Sequence, residues 1–323
     1  MLFRSLSMRF VAAAGASLQL LVVAGGIALW RLGEIVVERI GRAWIAGGRR
    51  GGDGRIARVL MAVLVMTAVG LAAAGLVGLA LWSVTRRWRY PDALPSEISL
   101  ESWARQAPEA AAITATTLAA GLVAAAIALV LVLSCLENEQ RRGLTLTNRA
   151  LWLLYTPLLV PQVAFLFGTQ VLAIQAGIDA TWAALVWSHL LFVLPYVFLT
   201  LGDSYRALDE RYARTALCLG ARPNRVFWQV KLPMLLRPVL FALAVGFAVS
   251  VTQYLPTLFA GGGRFVTLTT EAVGLAAGGD RRVIGVYAFL QALLPLLAFA
   301  AALALPRLLV GPALRRKLRP AAA

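Results

Sequence analysis

The stretch from Leu208 to Pro238, LDERYARTALCLGARPNRVFWQVKLPMLLRP, decides the fold of this chain, because it is a charged island between two long apolar stretches. Its first half has apolar residues at helical spacing, and Gly220 follows where a helix commonly ends in a left-handed residue. Pro223 suits the first turn of a second helix, and Pro233, which lacks an N–H donor, is expected to end that helix. The stretch therefore predicts two short helices joined at a glycine, and we call it the elbow.

The composition of the chain is that of a membrane protein. Of its 323 residues, 60% are hydrophobic and 14% are charged, whereas a soluble domain carries about a quarter charged residues. The 31 basic residues outnumber the 15 acidic ones. They cluster between apolar runs and not on one soluble face, which argues against a nucleic-acid-binding protein. We therefore expect contact with membrane lipid and no nucleic acid partner.

Seven apolar stretches are long enough to cross a bilayer, which takes about 20 residues. The first has no convincing cleavage site and is interpreted as a retained span, not a signal peptide. Prolines and polar residues in three of the stretches indicate helices that face protein or water. The predicted fold is all-α, with spans at Phe10–Trp30, Val59–Ser83, Ile113–Leu136, Leu151–Ile174, Thr181–Gly202, Val239–Phe259 and Ile284–Leu309.

The distribution of basic residues predicts the orientation. If the C-terminus is cytoplasmic, the inside segments hold 22 of the 31 Lys and Arg residues, in agreement with the positive-inside rule. The main exceptions are Arg86, Arg87 and Arg89, which acidic residues up to Glu109 partly balance. On the same outer side we expect short helices at Leu100–Gln106 and Thr267–Ala277. The inside segments are 31–58, 137–149, 203–237 and 307–323.

Polar residues within the predicted spans are candidates for a translocation path, because a polar group in lipid is costly unless it meets partners or water. The preferred lining is the cluster Val251–Pro256, for which a helix-packing role is equally open. His189 is interpreted as a packed, hydrogen-bonded group and not as a ligand or proton relay. Small residues from Ala120 to Ala125 predict close packing of the third span. The possible path residues are Gln170, Tyr196, Thr252, Gln253 and Tyr254.

The sequence excludes several kinds of enzyme site. Lys231 and Lys317 are the only lysines and each precedes a leucine, so the phosphate-binding sequence GxxxxGK[ST] is absent. A single histidine excludes an HExxH zinc site, and Cys135 and Cys218 give no support for a disulfide. We therefore expect no catalytic residue, no metal and no cofactor, with any ATP hydrolysis in a separate subunit.

The elbow resembles the EAA loop of permease subunits of binding-protein-dependent ABC importers. That loop has the pattern Glu-Ala-Ala, three residues, Gly, nine residues and Ile-x-Leu-Pro. In this chain the pattern falls on Arg214-Thr215-Ala216, Gly220 and Val230–Pro233, so that the third position, the glycine and the final Leu-Pro match. Arg214 and Thr215 replace the glutamate and the first alanine, and two acidic residues lie one turn earlier.

The resemblance, which extends from Ile56 onward, implies an inner-membrane permease of the type I fold whose core has six of the seven spans. It implies that the partners are ATP-binding cassette subunits, a second permease half and an extracytoplasmic substrate-binding protein. Closure of the ATPases would move the elbow and so alternate the access of the membrane helices. The residues implied in coupling to the ATPase are Asp209, Glu210, Arg214, Thr215, Ala216, Gly220, Val230, Leu232 and Pro233.

The expected organisation has three parts. Residues 1–58 form an additional transmembrane helix with a basic cytoplasmic linker, which is either a remnant of a fused first permease half or a genuine extra helix. Residues 59–310 form the permease domain, with the coupling loop at 203–237, and residues 311–323 form a basic cytoplasmic tail. The overall layout is most similar to permeases for thiamine, ferric iron, small anions or polyamines.

Two alternatives belong to other functional classes. A secondary transporter working without ATP would show an inverted repeat and charged coupling residues within the membrane, and the sequence shows neither. A membrane enzyme or assembly scaffold is the other alternative, and the sequence has no reactive constellation that would favour the enzyme.

Overall fold

The computed structural model of the protein describes residues 2–48, 54–89, 92–144 and 146–317, and it confirms the predicted all-α fold. A short β-hairpin and a π-helical turn at Phe227–Lys231 are the departures from α-helix. The elements in chain order are α1 (Leu2–Ala46), α2 (Arg55–Ser83), β1 (Thr85–Arg87), β2 (Glu97–Ile98), α3 (Glu101–Arg142), α4 (Asn148–Leu159), α5 (Gln162–Gln175), α6 (Trp182–Arg206), α7 (Glu210–Cys218), α8 (Pro223–Val226), α9 (Leu232–Met234), α10 (Leu236–Val251), α11 (Leu255–Gly261), α12 (Leu268–Ala276) and α13 (Arg281–Lys317).

Among the described residues, five helices are long and apolar enough to cross a membrane, and a bent pair of helices could form a sixth span. Helices α1, α2, α3, α6 and α13 contain five of the seven predicted spans. The bent pair consists of Pro223–Met234 and α10, which meet at an angle of 76°.

The fourth and sixth predicted spans are not continuous helices. The fourth is divided between α4 and α5 at Val160–Pro161, because a residue that precedes proline is driven into an extended conformation. The sixth is divided between α10 and α11, where Thr252–Tyr254 leave the helical path. The freed carbonyl of Val251 accepts a hydrogen bond from Thr269, which is how such a break survives away from water.

Two further boundaries differ from the prediction, and one agrees with it. Helix α1 continues to Ala46, so that more than half of the predicted linker 31–58 is helical, while residues 49–53 of its glycine-rich centre lie outside the described residues. The expected helix Leu100–Gln106 is not separate, because it is the first part of α3, which continues through the third span. The outer helix expected at Thr267–Ala277 is present as α12.

An antiparallel hairpin, which the sequence analysis did not predict, lies at the end of α2. Thr85 of β1 pairs with Ile98 of β2. The Arg86 side chain lies 3.9 Å from the Glu97 carboxylate and 3.8 Å from that of Glu101. The hairpin thus places acidic groups beside one of the arginines that depart from the positive-inside pattern.

Helices α3, α6 and α10 form the centre of the fold. Ala124 and Ala125 of α3 are fully buried, and a Cβ added at Gly121 would lie 2.9 Å from the ring of Phe247 on α10. On α10, a Cβ at Gly246 would come within 2.7 Å of Val197 on α6. The small residues therefore bring the three helices close together, which confirms the packing predicted for the third span.

The elbow and the hairpin lie at opposite ends of this helical centre. Helix α3 begins beside the hairpin at Glu101 and ends beside the elbow at Arg142, about 60 Å away for a helix of 42 residues. Residues 17–46 of α1 and the first half of α2 expose most of their apolar side chains, which suits contact with lipid. The elbow is thus held at one end of a bundle that is longer than a bilayer is thick.

Candidate functional site

The first helix of the elbow, α7, stands away from the helical core. Asp209 is its N-cap and accepts a hydrogen bond from the backbone N–H of Arg211 at 2.9 Å, which satisfies one of the free donors at the helix start. Arg214 donates to Glu210 at 2.6 Å, one turn away, and this contact lowers the pKa of the Glu210 carboxyl from its ordinary value. Every residue of α7 is at least partly exposed, so a whole helix is available to a partner.

Gly220 makes the turn that follows α7. Its φ of 86° is in the left-handed region, as predicted. Its N–H donates to the carbonyl of Leu217 at 2.9 Å, and the next N–H, of Ala221, donates to the carbonyl of Ala216 at 3.0 Å. This pair of bonds is a Schellman motif. In the described part of the chain no atom lies within 4 Å of a Cβ added at Gly220, so the backbone conformation, and not a lack of space, requires glycine.

The second helix of the elbow runs from Pro223 to Met234, and we call it the anchored helix. It begins with Pro223 in its first turn, as predicted. The helix ends one residue later than predicted, because it continues past Pro233 to Met234 before the chain bends at Leu235. A π-helical turn precedes the proline and provides the room that its ring would lack against the carbonyl of Gln229 in a regular α-helix.

The anchored helix carries a buried cation, Lys231, which is only 5% exposed. Its ammonium group lies 2.7 Å from the carboxylate of Glu137 and donates to the side-chain carbonyl of Gln140 at 2.8 Å, both on α3. Glu137 also accepts hydrogen bonds from the Tyr205 hydroxyl on α6 and, at 2.6 Å, from Arg141. One carboxylate thus joins the elbow to α3 and α6.

A second connection holds the start of the anchored helix. The Arg141 guanidinium donates to the side chain of Asn224 at 2.9 Å and to the carbonyl of Pro223 at 3.3 Å. Arg141 therefore bridges Glu137 and the first turn of the helix. With Lys231 near the other end, the anchored helix is tied to α3 at both of its ends.

The sequence analysis missed the residues that make this anchor. Lys231 lies within the motif but is not among the predicted site residues, although it is one of two lysines and lies on an apolar helix. Glu137 and Arg141 were recognisable as an oppositely charged pair, four residues apart, at the end of the third span. Their bonds to the elbow cross 82 to 94 residues of sequence and have no local signal.

The structure separates the predicted coupling residues into two groups. Those of α7, which are Asp209, Glu210, Arg214, Thr215 and Ala216, are exposed or half-buried and lie before the turn at Gly220. Those at the end of the anchored helix lie beside the core, where Leu232 packs against the buried cluster, Val230 is half-buried and Pro233 is exposed.

The predicted path residues also do not form one lining. Thr252, Gln253 and Tyr254 form the break between α10 and α11, where Gln253 is buried and Thr252 is exposed. Gln170 lines a cavity of about 220 Å³ between α5, α6 and α11. Tyr196 is 39% exposed on α6 and is not among the described residues that line this cavity.

His189 is a packed, hydrogen-bonded group, as the sequence analysis interpreted it. Its Nδ1 atom lies 2.6 Å from the Ser250 hydroxyl on α10, and its Nε2 atom lies 2.9 Å from the Thr257 hydroxyl on α11. The side chain is 1% exposed. His189 therefore connects α6 to both sides of the break that contains three of the predicted path residues.

Comparison with known proteins agrees with this arrangement. The family of binding-protein-dependent transport system inner membrane components matches residues 139–316, which is more than half of the chain and includes the elbow and the break. The inner membrane ABC transporter permease protein YnjC of Escherichia coli K12 is 45% identical over 184 residues, 57% of this chain and 35% of that protein. The molybdenum transport system permease protein ModB of Mycobacterium bovis is 36% identical over 105 residues, 32% of this chain and 40% of ModB.

A more distant relative is the putrescine transport system permease protein PotI of Escherichia coli K12, which is 26% identical over 128 residues, 38% of this chain and 46% of PotI. The matched part of the chain spans about a third of the length of YnjC and two fifths of that of ModB. The relatives named here are permeases, and the family match includes the elbow that suggested this class. The chain therefore belongs to the family of inner membrane components of binding-protein-dependent transport systems, as an ABC transporter permease.

Proposed function

We propose that this chain forms half of the translocation path of an ABC importer and couples ATP hydrolysis by a separate subunit to uptake. The observation that carries the proposal is the asymmetry of the elbow, in which an exposed helix is joined through Gly220 to a helix that is tied into the bundle. A motor that holds α7 would move the anchored helix with it, because the Schellman turn between them is hydrogen-bonded.

The proposed orientation places the elbow and the C-terminus in the cytoplasm. The charge distribution supports it, since 22 of the 31 basic residues then lie inside. The hairpin and α12 would face the opposite side, where a substrate-binding protein would dock. The proposed parts of the chain are an additional N-terminal helix with its linker in 1–58, the permease domain in 59–310 and a basic tail in 311–323.

The proposed path passes the break between α10 and α11, with Thr252, Gln253 and Tyr254 as lining residues and with Gln170 and Tyr196 nearer its edge. A break of this kind exposes polar groups in a membrane segment and is tolerated where it faces protein or a cavity. A second permease half would complete the path. Relatives named for molybdenum and for putrescine transport share this family, and we propose that the binding protein, not the path, selects the substrate.

The substitution Gly220→Val tests the proposed coupling between ATP hydrolysis and uptake. The complex of this chain with the ATPase and binding protein of its own organism is purified and reconstituted into vesicles, and ATP hydrolysis and uptake of the solute carried by that binding protein are measured. The Gly220→Val variant is expected to assemble and hydrolyse ATP but to lose most uptake, because a β-branched residue is strained at a φ of 86°. Gly220→Asn is the matched control, because asparagine tolerates the left-handed conformation.

The orientation of the chain is tested in vesicles that contain this chain without the ATPase, because the ATPase would cover α7. Cys218 is exposed on α7, so a membrane-impermeant maleimide is expected to label it from the cytoplasmic side and not from the outer side, and Cys218→Ser removes that label. Wild-type uptake by Gly220→Val, or labelling of Cys218 from the outer side, would contradict the proposed function.

A further inference from the structure

The carboxylate of Glu137 is the point at which three elements meet. It receives the ammonium group of Lys231 from the elbow, the hydroxyl of Tyr205 from α6 and the guanidinium of Arg141 from its own helix. Glu137 is 8% exposed and Lys231 is 5% exposed, so water competes little for these bonds. The geometry of these hydrogen bonds, and not only the opposite charges, therefore fixes how the elbow is oriented against α3 and α6.

Stability alone does not account for such a pair. A buried ion pair loses the solvation of both charges, and well-packed apolar residues in its place are often as stabilising or more so. What apolar residues do not supply is a directional contact that fixes the distance and orientation of two elements. The π-helical turn at Phe227–Lys231 adds to this, because it lets the helix pass Pro233 while Lys231 reaches α3.

The two helices that meet at Glu137 lead directly to the region of the proposed path. Helix α3 carries Thr117, whose hydroxyl accepts a hydrogen bond from the first N–H of α12, at Leu268, at 2.9 Å. Helix α6 carries His189, which bonds to residues on both sides of the break between α10 and α11. A displacement at Glu137 thus has a route along the packed helices α3 and α6 to the break.

We propose that Glu137 and Lys231 are positioning residues that transmit movement of the elbow to α3 and α6, and so to the break between α10 and α11. The proposal rests on the proposed function, because it needs an ATPase that moves the elbow. It adds that the exposed helix α7 alone is not sufficient to transmit movement of the ATPase to the break. Without the buried pair, the ATPase would move α7 and the path would not follow.

The experiment measures the two ends of this route separately in the reconstituted complex. In a Cys135→Ser background, an environment-sensitive fluorophore is attached either to Cys218 on α7 or, with Cys218→Ser, to Thr252→Cys at the break, since both positions are exposed. Fluorescence is compared between the nucleotide-free complex and the complex trapped with ATP and vanadate. When the elbow has its wild-type sequence, the fluorescence of both labels, at Cys218 and at Thr252→Cys, is expected to change on trapping.

The decisive variant is Glu137→Gln/Lys231→Met, which removes both charges and so leaves neither buried without a partner. We expect the response at Cys218 to be unchanged and the response at Thr252→Cys to fall at least about fivefold, the lower end of the range for coupling between sites. Lys231→Arg, which keeps the cation, is expected to retain a larger response than the double variant. Arg225→Met is the matched control, because Arg225 is exposed on the same helix and bonds to Gln229.

The possible outcomes separate the two claims. A full response at Thr252→Cys in the double variant would overturn the role of the buried pair while leaving the proposed function standing. A label at Cys218 that does not respond in the wild-type elbow would contradict the proposed function and this inference with it. If the double variant does not assemble, Glu137→Gln/Lys231→Gln replaces it, because it also removes both charges but keeps polar side chains at the two positions. A reduced distal response would then support the proposal, and a wild-type response would overturn it.

Discussion

The two helices of the elbow have similar apolar spacing in the sequence but opposite surroundings in the structure. Every residue of helix α7 is at least partly exposed, and the ion pair between Glu210 and Arg214 joins two residues of that same helix. The anchored helix buries Val226 and Lys231 and is tied to α3 near both of its ends. The difference separates an exposed helix from a helix that is connected to the long apolar helices, and the proposed coupling depends on this difference.

The largest effect is expected from breaking the anchor on one side only. Lys231→Met removes the buried cation beside Glu137 and leaves that carboxylate with Arg141 alone, and removal of one partner of a buried ion pair costs up to about 3–5 kcal/mol. We expect a large fall in the thermal stability of the purified chain in detergent. The double variant Glu137→Gln/Lys231→Met should recover most of this loss, and a double variant as unstable as the single one would contradict the assignment of the cost to an unpaired charge.

An intermediate and local effect is expected at the start of α7. Asp209→Ala removes the N-cap, which costs about 0.5–2 kcal/mol of helix stability. Because α7 is exposed, the loss should appear as faster amide hydrogen exchange in α7, with the anchored helix as protected as before. Faster exchange in both helices would show that they unfold as one unit and would remove the distinction between them.

The smallest effect is expected from Arg214→Ala, which removes the exposed pair on α7. Solvent screens such pairs, and we expect no measurable change in thermal stability at neutral pH. The pKa of Glu210 is lowered in the folded chain, so the contribution of the pair is present above the unfolded pKa and is lost as pH falls through the lower folded value. The variant and the wild-type chain should therefore unfold alike between pH 6 and pH 8, and a clear difference there would make α7 less independent than its exposure indicates.

The elbow illustrates how far local sequence patterns reach. Gly220 was predicted to be left-handed because few other residues adopt that conformation cheaply, and the structure confirms it. Pro233 is predicted to end a helix, and the helix ends one residue later, at Met234, because a π-helical turn accommodates the ring. The prolines of the fourth predicted span indicate a disturbed helix, and the structure divides this span at Val160–Pro161. The sequence does not indicate whether such prolines kink one helix or separate two helices.

The sequence by itself determined the class of this protein, through apolar runs of membrane-spanning length and an elbow whose glycine and Leu-Pro carry the family pattern. These features are local, since the backbone preferences of glycine and proline and the hydropathy of 20 residues act within a few turns of chain. Only the tertiary structure decided that Lys231 faces inward to Glu137, that Tyr205 joins them and that His189 connects the two sides of the break. These contacts join residues more than 60 positions apart, and which polar groups meet there depends on the close packing of α3, α6 and α10, which no single segment of the chain specifies.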